Sequence, residues 1–68
     1  MNEETFNMSI RKFLKMVGIR SQREIEQAVE KARTQGRIAG NESFPASVSL
    51  RIKGLDLDVS FDGEIDLE

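Results

Sequence analysis

The residues best suited to chemistry are the acids near the C-terminal end. Asp58-Val59-Ser60-Phe61-Asp62-Gly63-Glu64-Ile65-Asp66 sets oxygen-bearing side chains at alternate positions around an Asp-Gly step. The spelling matches positions 1, 3, 5, 6, 8 and 9 of a calcium loop of the EF-hand type, where hard oxygen ligands wrap a hard cation. The match fails at the twelfth position, which needs a bidentate Glu and falls one residue past Glu68. The stretch before it alternates like a strand, where the motif needs a helix. An acidic strand running into Asp-Gly produces the same pattern without binding anything. Asp58, Ser60 and Asp62 are therefore weak candidate ligands, and the expectation is no metal site and no cofactor.

A second set is basic. Arg11, Lys12, Lys15, Arg20 and Arg23 could meet phosphates. A helix, a short turn, a capped helix and a hairpin together resemble part of a winged helix-turn-helix. Against this, Glu24, Glu26 and Glu30 share the second helical stretch, and Asp56 and Asp58 occupy the would-be wing. The usual winged fold also has a further helix. Weak nucleic-acid binding is the runner-up reading and is held unlikely.

Catalysis has little to work with. There is no Cys, His, Tyr or Trp, so nucleophilic triads and the usual zinc sites cannot be built. No glycine-rich loop has phosphate-binding spacing. The acids fall on what reads as the wet face of a sheet, and an open face does not raise a carboxylate's pKa for general-acid work. The reading is that the protein is not an enzyme.

These side chains need elements to position them. The strongest pattern is Val48–Phe61, where apolar and polar residues alternate on both sides of Lys53-Gly54. A two-residue turn there pairs Ile52 with Leu55, Leu50 with Leu57 and Val48 with Val59, all apolar and all on one face. The other face pairs Arg51 with Asp56, Ser49 with Asp58 and Ser47 with Ser60. The hairpin is expected over residues 46–61. After an Asp62-Gly63 turn, Ile65 and Leu67 suggest a third strand over 64–67.

Before the hairpin, Phe6, Ile10, Phe13, Leu14 and Val17 form an apolar stripe at helical spacing. Asn2 is placed to cap it, Glu3 and Glu4 suit its first turn, and Gly18 is placed to end it. This predicts a helix over 3–17. Ser21-Gln22-Arg23-Glu24 reads as a capping box, followed by Ile25, Ala28, Val29 and Ala32 at helical spacing. This predicts a second helix over 22–35 that closes at Gly36 and forms an αα-hairpin with the first. Residues 36–45, with two glycines, Asn41 and Pro45, read as a linker, the strand starting after Pro45.

The 68 residues allow one small domain, 1–68. A core this small supplies no more than about 3–5 kcal/mol, so a partner subunit is an open route to stability. Residues 1–40 carry eight Lys/Arg against five Asp/Glu, or +3, and residues 41–68 carry two against seven, or −5. The split is read first as solvated faces and second as complementarity with a partner or a second copy. The acidic start, MNEET, does not read as a signal peptide, and no apolar run is long enough to span a bilayer. The expected location is the cytoplasm, away from membranes.

Three segments look familiar together: N-E-E-T-F-N-M-S-I-R-K-F-L-K-M-V-G, S-Q-R-E-I-E-Q-A-V and G-L-D-L-D-V-S-F-D-G-E-I-D-L-E. Over essentially its full length the chain resembles a family of short, mainly proteobacterial proteins classed as a domain of unknown function. The resemblance implies a stand-alone bacterial protein and brings no activity, cofactor or site residue.

The expected fold is α+β in two layers, ααββ with a possible third strand, the αα-hairpin packed on a small antiparallel meander. The expected core is Phe6, Ile10, Phe13, Leu14, Val17, Ile25, Ala28, Val29, Ala32, Val48, Leu50, Ile52, Leu55, Leu57, Val59 and Phe61. The expected function is non-enzymatic protein binding or assembly, as a monomer or weak homodimer with an unknown protein partner. Phe6, Met8, Met16 and Phe44 are the candidates for an exposed, adaptable patch.

Overall fold

Asn2 starts the first element as its type predicts. Its backbone is extended, and its side-chain oxygen accepts a hydrogen bond from the Thr5 N–H at 3.0 Å. Glu3 and Glu4 place negative charge against the free N–H groups of the first turn. The helix that follows, α1, runs from Glu3 to Thr34 without a break in a computed structural model that describes residues 1–68. At about 1.5 Å per residue its 32 residues span about 48 Å.

One helix stands where two were expected, so there is no αα-hairpin. Gly18 does not adopt the positive φ that would end a helix. It only weakens one, by about 1 kcal/mol relative to Ala. Ser21 and Glu24 lie inside the helix, where the backbone ladder already takes the N–H groups that a capping box would satisfy. The sequence holds the signal for continuity. Phe6, Val17 and Ala28 are eleven residues apart, as are Ile10, Ser21 and Ala32, and Leu14 and Ile25. Eleven residues make about three turns, so the stripe crosses Gly18 without a change of phase. A helical hairpin would have reset it.

The end of α1 is at Gly36, as its residue type predicts. Gly36 has φ +70°, its N–H bonds the Arg33 carbonyl at 3.1 Å, and the Arg37 N–H bonds the Ala32 carbonyl at 2.9 Å. This is the Schellman closure, which satisfies carbonyls that the ended ladder leaves free. Lys31 and Arg33 put positive charge at this terminus.

Beyond it, β1 (Ser43–Ile52) and β2 (Leu57–Asp66) form one antiparallel two-stranded sheet. The chain is thus α+β. Its register differs from the expected one by two residues: Ile52 faces Leu57, Leu50 faces Val59 and Val48 faces Phe61. A shift of two preserves every face, so alternation alone does not choose between the registers. The turn chemistry does. A two-residue primed turn needs positive φ at its first central residue, and Lys53 is a poor candidate. The chain instead makes a short 3₁₀ turn over Lys53–Leu55 and places Asp56 in the left-handed region at φ 52°. Asp tolerates that region better than most residues.

The shift lengthens both strands. The register continues through Ala46 facing Gly63 to Phe44 facing Ile65. Asp62-Gly63 is not a turn, and residues 64–66 finish β2 with no third strand. Residues 61, 63, 65 and 67 share parity, so an unbroken strand keeps Phe61, Ile65 and Leu67 on one face. The strand also begins before Pro45. The Leu67 N–H donates to the Glu42 carbonyl at 2.9 Å, which makes 42 and 67 a hydrogen-bonded pair. Alternation from there puts Pro45, opposite Glu64, at a non-hydrogen-bonded position, and its missing N–H falls on the outer edge.

The chain divides into two compact units, Met1–Arg37 and Ile38–Glu68. No side chain in either is buried, including the sixteen expected to form a core. No helix is long and apolar enough to cross a membrane.

Two sets of substitutions test this architecture in thermal unfolding followed by circular dichroism at fixed protein concentration. Gly18→Ala should raise helicity and stabilise by up to about 1 kcal/mol, since its Cβ meets no atom within 4 Å; loss of helicity would point to a turn there. Gly54→Ala should be neutral or stabilise by about 0.4–1 kcal/mol, because Gly54 has no positive φ. Asp56→Val should cost about 1 kcal/mol or more. A two-residue turn at Lys53-Gly54 would reverse the first of these two effects.

Candidate functional site

The side chains of α1 fall into an apolar stripe and a charged remainder. The stripe is bulky in its first half, with Phe6, Ile10, Phe13 and Leu14, and narrow in its second, with Ser21, Ala28 and Ala32. Phe6 is 49% exposed and Leu14 54%. Met8 and Met16 lie off the stripe and are exposed, as are Phe6 and Phe44.

The sheet repeats this arrangement with strand periodicity. Phe44, Val48, Leu50 and Ile52 of β1 and Leu57, Val59, Phe61 and Ile65 of β2 share one face. Ala46 opposite Gly63 makes a narrow waist between the Phe44–Ile65 and Val48–Phe61 pairs. Val48 is 51% exposed and Phe61 61%. Leu57, one of the expected core residues, is half-buried.

The polar face of the sheet uses its groups on itself. Arg51 Nε lies 3.5 Å from Asp58 Oδ1, a pairing that replaces the expected Arg51–Asp56 pair. The Ser49 and Ser60 hydroxyls are 3.4 Å apart, and Ser43 Oγ donates to Asp66 at 2.7 Å. Asp58, Ser60 and Asp62 follow one another along an extended strand, about 6–7 Å apart at its rise per residue. A calcium loop must curl around its ion, and Gly63, its expected turning point, lies within β2. No three acidic side chains converge anywhere in the chain.

The five basic candidates are not gathered either. Arg11, Lys12, Lys15, Arg20 and Arg23 all lie on α1, where each residue turns by about 100°, and they spread over about half its circumference, on the side away from the apolar stripe. The helix-turn-helix likeness needs two helices, and the chain has one. An open depression at the hairpin tip, lined by Arg51, Lys53, Asp56, Leu57 and Asp58, holds two cations and two anions with none buried. It gives no group the apolar surroundings that general-acid work needs.

One carboxylate does have a distinctive setting, which residue pattern did not reveal. Glu42 accepts hydrogen bonds from the N–H groups of Ala39 at 2.8 Å, Gly40 at 2.8 Å and Asn41 at 3.1 Å. Gly40, at φ +108°, allows the backbone to curl so that these donors converge. Its bonds from Ala39 and Gly40, foremost, hold the Glu42 carboxyl below its ordinary value. The role is structural: the carboxylate fills its own backbone nest and sets the entry to β1. Because the folded pKa is lowered, the stabilisation is full above the ordinary carboxylate range and is lost as pH falls through the lowered value. Glu42→Gln should therefore unfold earlier than the parent at neutral pH, with the gap closing in acid. A gap independent of pH in thermal melts would count against the nest.

Neither a curated protein nor a solved structure matches the chain. One family does match, along residues 1–68. With one apolar helix stripe, one apolar hairpin face and no converging polar cluster, the chain belongs to the family of unknown function DUF6494.

Proposed function

We propose that the protein is a non-enzymatic assembly module, whose apolar surfaces are completed by association with another polypeptide. The observation that carries this reading is that every large apolar side chain is exposed or only partly covered. Most helical stability in proteins comes from packing an amphipathic face, and a lone two-stranded hairpin is marginal in water. Burying one Leu, Ile or Phe contributes about 1.5–3 kcal/mol. Covering four of them contributes at most about 6–12 kcal/mol, comparable with the cost of association, so an interface needs most of the apolar face. Contiguous apolar surface of this kind marks interaction sites on small proteins.

The test uses size-exclusion chromatography of extract from the protein's own host, with the chain detected by antibody. The parent should elute well above its 7.7 kDa mass. A Leu14→Glu, Ile25→Glu double variant, charged on the stripe but helical in sequence, should shift to the monomer position. A parent that elutes as a monomer defeats the reading.

A further inference from the structure

We infer that the partner of the α1 stripe is the α1 stripe of a second copy, running antiparallel. The inference rests on the assembly reading and names its partner. The stripe changes in bulk along its length, from Phe6, Ile10 and Phe13 to Ser21, Ala28 and Ala32. A parallel pair would put Phe on Phe at one end and Ala on Ala at the other, and the helices would have to splay. An antiparallel pair matches large to small at both ends and at its centre, with Phe13 against Ile25 between them. In the register where facing residue numbers sum to 38, Phe6 meets Ala32, Ile10 meets Ala28, Phe13 meets Ile25 and Val17 meets Ser21. Large residues alternating with small across facing positions is how close packing is reached.

Charge selects the same orientation independently. The first turn of α1 is acidic, with Glu3 and Glu4, and the last is basic, with Lys31 and Arg33. Antiparallel pairing lays each acidic turn beside the other copy's basic turn and opposes the two helix dipoles. Parallel pairing would set Glu4 against Glu4 and Arg33 against Arg33. The eleven-residue recurrence keeps the seam on one side over both halves of the helix, giving a nearly straight or slightly right-handed pair.

The chain has no cysteine, so introduced thiols report proximity without interference. Ile10→Cys and Ala28→Cys proteins, each made as the full chain, would be mixed and oxidised under mild conditions. Mixed disulfide should exceed either like-with-like disulfide several-fold, and the purified parent should sediment at twice 7.7 kDa. Predominance of the Ile10→Cys like-with-like product would overturn the orientation. A purified parent that stays monomeric at its highest attainable concentration would overturn self-pairing. If that monomer still runs as a larger species in host extract, the assembly reading survives with a different partner. Monomer in both settings defeats both.

Discussion

A side chain is buried only when atoms surround it, and the surface of a single helix or a two-stranded ribbon covers at most part of each residue. This constraint governs the whole chain. Each unit sorts its residues well, apolar to one side and charged to the other, and neither has enough layers to enclose what it sorts. Local devices define the elements: the Asn2 cap, the Schellman closure at Gly36, the Glu42 nest and the Asp56 turn. Each fixes where an element starts or stops. None replaces a core. The elements are thus specified locally.

How far the sequence predicts this structure depends on the periodicity of each signal. The apolar set of the hairpin is readable because alternation assigns faces unambiguously. The register is not, because alternation repeats every two residues and a two-residue slip leaves each face intact. Only the different tolerance of Lys53 and Asp56 for positive φ separates the two registers. Gly18 misleads for a related reason. Gly ends helices when it adopts positive φ, yet its residue type alone cannot say whether it does. The phase of the stripe across residues 14–25 was the better guide. Asp62-Gly63 reads as a turn by composition, while the parity of Phe61, Ile65 and Leu67 already favours an uninterrupted strand. At Gly18 and at Asp62-Gly63 a one- or two-residue motif gave way to a longer-range pattern that competed with it.

The candidate site was legible in kind and not in detail. The absence of His and Cys, together with acids alternating along a strand, gives no reactive cluster, and the polar groups of the sheet bond one another. The apolar stripe was legible residue by residue but was assigned to a core within the chain. That assignment assumed a layer of two helices packed on the sheet, and the chain has one helix and a two-stranded sheet. Charge follows the boundary between units: the helical unit, residues 1–37, carries +3 and the hairpin unit, residues 38–68, carries −5.

A sheet of two strands consists of nothing but edges. Each strand offers an outer row of unpaired backbone groups, the template on which foreign strands grow into fibrils. On β1 that row is interrupted where Pro45 has no N–H to offer. On β2 the residues at the outward-donating positions are Asp58, Ser60, Asp62, Glu64 and Asp66. A second β2 laid alongside would bring carboxylate against carboxylate, which repels at neutral pH. The acidity that first suggested a ligand site thus has a colloidal consequence: it makes fibril growth along β2 unfavourable.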